Sequence, residues 1–115
     1  MRNIEYSRVV QRKLNALKMQ LCENFDDDMA RKSMAKILRD IHHLSDNCEI
    51  GIRISKIYEI DTDYRYLFTT HNYFIYRVEK TSVVIVNMFN EKEDFMLKLF
   101  GVCGRTQESI DYWGD

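Results

Sequence analysis

Proline is absent from the 115 residues and glycine occurs only four times. Such a chain holds no Pro-rich linker or tail, and its connections must be short turns built on Asp, Asn and the few glycines. The three cysteines, Cys22, Cys48 and Cys103, are odd in number and far apart. They form no CxxC or Cys/His ligand spacing, so reduced thiols, no metal and no cofactor are expected. No apolar run approaches the roughly 20 residues that span a bilayer, which excludes a membrane helix. The N-terminal MRNIEYSRVV lacks the apolar stretch of a signal peptide, and a cytoplasmic setting is expected. An excess of either charge is also missing: 17 Lys and Arg face 18 Asp and Glu, a net charge of −1. This argues against a protein that grips nucleic acid by bulk electrostatics. Gly-rich phosphate loops, GxSxG and HExxH are absent as well.

What remains suits one globular domain. Apolar residues make up 45% and aromatics 12%. A chain of this size buries roughly two-thirds of its unfolded surface. Residues 1–103 are expected to form that single domain, and 104–115, which carry no periodicity, a flexible tail.

The first half has helical period. Val10, Leu14, Leu17, Leu21 and Phe25 trace one stripe, as do Ala30, Met34, Ile37, Ile41 and Leu44. Ser7 is placed to cap the first helix. Asp26-Asp27-Asp28 complements the positive end of the second. The spacing predicts an antiparallel helical hairpin, preceded by a short strand near Asn3–Ser7. After Gly51 the period becomes two. Ile52-Arg53-Ile54-Ser55 reads as a half-buried strand, and Tyr64–Thr69 and Tyr73–Val78 as two more. Ser82–Phe89, apolar on both faces, should be an interior strand. Thr70-His71-Asn72 and Glu79-Lys80-Thr81 are the turns. Glu91–Gly101 suits a short closing helix ended by glycine. The class is therefore α+β: a short N-terminal strand and a helical hairpin packed on a three- to four-stranded antiparallel sheet, with a short C-terminal helix.

One ordered set of segments carries a family resemblance. It comprises Gly51-Ile52-Arg53, Tyr64-Arg65-Tyr66-Leu67, Asn72-Tyr73-Phe74-Ile75-Tyr76-Arg77-Val78, Val83-Val84-Ile85-Val86 and Glu91-Lys92-Glu93-Asp94-Phe95. With Tyr6-Ser7 and the two helices ahead of it, the set resembles the RelE/ParE toxins of bacterial type II toxin–antitoxin systems. The resemblance spans most of residues 3 to 100. It implies a microbial-ribonuclease-like architecture, the fold that periodicity reaches separately. It further implies a small toxin held in a heteromeric complex by a cognate antitoxin that wraps around it. One branch of the family cuts mRNA on the ribosome, and another poisons DNA gyrase. The cutting branch uses basic residues on the sheet, a late basic residue and a late Tyr or His for proton transfer. Here Tyr73 stands at the usual arginine position. Lys92 keeps the late charge without the bidentate fork, and Phe95 has no proton to give. The Asn72-Tyr73 spelling is closer to the ParE side. The expected function is inhibition of translation or DNA topology by binding a macromolecular target. The alternatives are a ribosome-dependent mRNA endoribonuclease with a rearranged basic site, and a non-toxic interaction module on the same scaffold.

Candidate site residues follow from chemistry. Arg65 and Arg77, with His71, are the candidate catalytic set: arginines stabilise phosphate charge and a histidine near pH 7 moves protons. Arg53 on the preceding strand, with Lys32, Lys36 and Arg39 on one helical face, is the candidate anion- or RNA-binding set. The competing reading makes each arginine a solvated residue of an alternating strand, His71 an ordinary turn residue, and the basic face a solvated one with i,i+4 partners.

Overall fold

The computed structural model describes residues 1–58 and 61–93. The elements are β1 (Asn3–Tyr6), α1 (Arg8–Asn24), α2 (Asp27–His42), a 3-10 turn at His43–Ser45, β2 (Ile52–Arg53), α3 (Ile54–Tyr58), β3 (Arg65–Thr69), β4 (Asn72–Val78) and β5 (Ser82–Asn90). The α+β expectation is met. Among the described residues the sheet has five strands in the order β1-β5-β4-β3-β2. It is mixed, since β1 runs parallel to β5 while the other pairs are antiparallel.

Both helices begin where their caps stand. The Ser7 hydroxyl accepts the Val10 N–H at 3.2 Å and donates to the Val86 carbonyl at 2.9 Å. One side chain thus caps α1 and ties it to β5. Asp26 accepts the Met29 N–H at 2.7 Å, with Asp27 and Asp28 in the first turn of α2. The α2 stripe is the deeper one: Ala30, Ile37, Ile41 and Leu44 are buried, whereas α1 buries only Val10 fully. Val10, Ile37, Ile41 and Leu44 meet Phe74, Tyr76, Val83, Ile85 and Met88 on one sheet face. Each fully buried aliphatic side chain there contributes about 1.5–3 kcal/mol.

A bulge lets β5 serve both faces. Ile75 pairs Asn87 but Tyr76 pairs Ile85, leaving Val86 as the extra residue. The alternation flips across it: Val83 and Ile85, then Met88, all face the hairpin, while Val86 and Phe89 face the other way. β5 lies between β1 and β4, which agrees with its apolar run.

The expected strand over 52–55 is shortened. β2 ends at Arg53 and the chain winds into α3. Ile54 stands at the transition. Its N–H still reaches the Tyr64 carbonyl at 3.2 Å, and its side chain is fully buried with Ile75 and Phe89 on the sheet face away from the hairpin, the face that alternation from Arg53 assigns to it. Residues 59–60, the closing helix from Asp94 and the 104–115 tail lie outside the described residues.

Candidate functional site

Period-two geometry decides where the three strand arginines go. Arg53 pairs Arg65 across β2 and β3, and Arg65 pairs Tyr76 across β3 and β4. Arg53 and Arg65 therefore share the face of Tyr76. Arg77, the next residue on β4, stands on the opposite face. The structure brings Arg53 and Arg65 together and leaves Arg77 out. Arg65 donates to the Glu49 and Gly51 carbonyls at 3.3 and 3.0 Å. Its guanidinium fastens the loop before β2. Arg77 bonds Glu79 at 2.8 Å, and this carboxylate raises its already high pKa.

Beside Arg65, Tyr76 closes the same loop. Its hydroxyl accepts the Gly51 N–H at 2.9 Å and donates to the Cys48 carbonyl at 2.8 Å. A Cβ on Gly51 would fall inside the Tyr76 ring, so only glycine fits this approach. Burial pushes the Tyr76 phenol up from its ordinary pKa.

His71 has a partner that the sequence did not reveal. Its Nδ1 lies 2.9 Å from the Glu91 carboxylate, and its carbonyl accepts the Glu91 N–H at 2.8 Å. His71 and Thr70 form the two-residue β3–β4 turn, both in the left-handed region at φ 66° and 50°. Two-residue hairpins demand that conformation, and Asn-Gly normally supplies it. A β-branched Thr there is strained. The turn is held by Asn72, whose amide donates to the Thr70 carbonyl at 2.7 Å, and by the two Glu91 bonds. A carboxylate on one imidazole nitrogen fixes the orientation of the ring. Both side chains are solvent-accessible, His71 at 75% and Glu91 at 39%.

The basic helical face reaches the same end of the sheet. The Lys36 ammonium lies 2.7 Å from Asp40 and 3.4 Å from the Thr69 hydroxyl, which itself donates to Asp40 at 2.6 Å. The Lys36 and Thr69 hydrogen bonds hold the Asp40 carboxyl below the usual carboxylate range. Lys36 is thereby engaged in a link between α2 and β3, while Lys32 and Arg39 are exposed on the helix. Thr69 and Thr70 hydroxyls are 3.2 Å apart. A polar chain thus runs from Lys36 through Thr69 to the Thr70–His71 turn and Glu91.

The sheet face away from the hairpin is aromatic. Tyr66 and Tyr73 meet edge-on at 5.5 Å, and Phe68 tilts against Tyr73 at 4.8 Å. Phe68 remains 47% exposed. At the free end of β5, Lys13 donates to Asn87 and to the Met88 carbonyl at 2.7 and 2.9 Å and sits 4.2 Å over the Phe89 ring. Sequence reasoning passed over these groups. The aromatics at 66 and 68 do carry the spacing of one strand face. Lys13 beside Leu14 gave no signal. Among the described residues, no group of three or more His, Cys, Asp or Glu side chains is arranged to hold a metal. No described helix is long and apolar enough to cross a membrane.

No protein-family model matches the sequence, and no curated protein sequence matches it. Solved structures do. One, described as "Chromosomal ParDE TA system from P. aeruginosa", superposes with a TM-score of 0.64 at 17% identity, covering 78% of this chain and 96% of that one. At this identity the likeness establishes architecture: the helical hairpin on a five-stranded mixed sheet is a fold shared with a chain of a ParDE toxin–antitoxin system.

Proposed function

We propose that this protein is the toxin of a type II toxin–antitoxin module of RelE/ParE type, a cytoplasmic protein held inactive in a heteromeric complex by its cognate antitoxin. Two lines support the reading: the ordered sequence resemblance and the fold likeness to a ParDE chain. The proposed activity is binding to a macromolecular target of translation or DNA topology. The observation that carries this choice over RNA cleavage is the separation of Arg65 and Arg77. They stand on opposite sheet faces, each engaged within the protein. Phosphoryl-transfer chemistry needs its cations converged on one phosphate. The aromatic patch of Tyr66, Phe68 and Tyr73 offers the kind of surface enriched at protein interfaces.

Inducible expression in a bacterial host tests the reading. Growth arrest relieved by the product of the adjacent reading frame is expected. No arrest at any expression level would sink it. Pulse-labelling of protein synthesis and plasmid supercoiling assays then separate the two target classes.

The His71–Glu91 contact favours a second reading, a ribosome-dependent endoribonuclease in which His71 moves the proton. Primer extension on transcripts after induction decides between them. The binding reading expects uncut transcripts and continued arrest by the Arg65→Ala/His71→Ala/Arg77→Ala variant. Cleavage lost on His71→Ala alone would replace it with the nuclease.

A further inference from the structure

The outer side of the helical hairpin carries an apolar groove that no described element covers. It has a volume of about 500 Å³ and lies between α1 and α2, floored by Ala30, Met34 and Ala35. Leu38 is 43% exposed on one wall and Met19 65% exposed beside the other. Cys22 is also exposed there. Ala30 and Met34 belong to the stripe packed on the sheet, and Ala35 and Leu38 on α2 with Met19 and Cys22 on α1 extend the apolar surface outward from it. Together they offer a second pair of helices apolar surface to pack on.

The charges around the groove identify that partner. They are unevenly distributed along the hairpin. Glu23, Asp26, Asp27 and Asp28 cluster exposed at the tip where α1 turns into α2 and outnumber Lys32 and Arg31, which pairs Asp28 at 3.7 Å, while Lys18 lines the groove between the two ends. Arg8, Arg12 and Arg39 stand exposed at the open end. In α2 this order agrees with the helix dipole, with acids in the first turn and Arg39 and His42 in the last. In α1 it opposes the dipole. There is no acid in the first turn and no base in the last, and the ends carry Arg8 and Glu23 instead. Each misplaced end charge disfavours the helix. Helix formation does not account for that arrangement; association does. A hairpin acidic at one end and basic at the other complements itself when turned end over end. That is the condition for an isologous twofold interface.

We propose that the α1–α2 groove is a self-association surface on which a second copy of this chain docks antiparallel, forming a four-helix bundle. The apolar rows pack together, and the acidic tip of each copy meets the basic open end of the other. The proposal rests on the hairpin alone and stands apart from the toxin reading.

Charge inversion on α1 tests it without weakening the helix. Arg12→Glu makes the open end less basic, and Glu23→Lys makes the tip less acidic, and each change favours the α1 dipole. Sedimentation velocity on the purified full-length protein should show a dimer. Each single variant should be a monomer with unchanged circular dichroism, its self-affinity reduced about tenfold or more. An equimolar mixture of the two variants should form a heterodimer, an outcome that no loss of folding can mimic. Leu38→Glu should be monomeric alone and in mixtures. A wild-type monomer at the highest soluble concentration overturns the proposal, whether the groove then takes a heterologous helix or residues 94–115. Single variants that dimerise as tightly as the wild type overturn it too.

Discussion

The Tyr76 hydroxyl occupies the space into which a side chain at position 51 would grow, and it takes the Gly51 N–H at 2.9 Å while donating to the Cys48 carbonyl. One buried phenol therefore fixes the loop between the helical layer and β2. Gly51→Ala should destabilise the fold by about 1–3 kcal/mol, because the ring is itself packed in the core and cannot yield. Tyr76→Phe should cost about 1–3 kcal/mol through the orphaned Gly51 donor and Cys48 acceptor. Urea unfolding at pH 7 measures both. A Gly51→Ala protein as stable as the wild type would contradict the close approach.

The Asp40 carboxylate predicts an acid-sensitive contribution to stability. Hydrogen bonds from Lys36 and Thr69 lower its pKa in the folded protein relative to the ordinary 3.8. The folded state thus binds this proton less readily than the unfolded state. The stabilisation is present in full above the ordinary value and is lost as pH falls through the lowered one. Asp40→Asn should flatten the acid end of a stability-versus-pH profile while leaving its shape above neutrality unchanged. Identical acid limbs in the two proteins would contradict the assignment.

Lys13 is a stability residue in spite of its charge. It bridges α1 to the end of β5 that β1 does not cover, through Asn87, the Met88 carbonyl and the Phe89 ring. Lys13→Met keeps the aliphatic stem and removes the charge. It should cost about 1–2 kcal/mol, the worth of one charge-assisted bond with some cation–π attraction. Thermal denaturation checks this, with Lys18→Met, on the groove side of the same helix, as the comparison.

Strain at the β3–β4 turn predicts a trade. Thr70→Asn suits a left-handed turn position far better than threonine and should raise stability by about 1 kcal/mol. If the turn contributes to the proposed activity, the stabilised variant should arrest growth less effectively at equal abundance. Equal stability of the two proteins would show that the Asn72 and Glu91 bonds already offset the strain.

Legibility in the sequence followed physical locality. Ser7, Asp26 and both helical stripes act within a few residues, so periodicity and capping rules place them. The β4–β5 hairpin is equally plain, because its strands are long and apolar and its turn is polar. The turn at Thr70-His71 was readable as a turn, while its left-handed backbone ran against the preference of threonine and depends on a residue twenty positions away. α3 was missed because alternation at 52–55 describes a strand equally well: Ile54 falls on the Ile75 and Phe89 face in either conformation. Of the site residues, the strand arginines were found by chemistry. Only register could show that Arg53 and Arg65 share a face that Arg77 does not.

The pairing of β1 with β5 bears on how the protein comes into being. Ser7 bonds to a residue 79 positions later, so β1 waits for β5 before it has a strand partner. Loop closure over that distance is slow compared with hairpin formation. Nascent chains halted before Ser82 have neither the sheet interior nor a place for β1. The assembled sheet therefore accrues only from chains that extend through β5, and fragments left by synthesis interrupted before it lack the surface that the complete sheet presents.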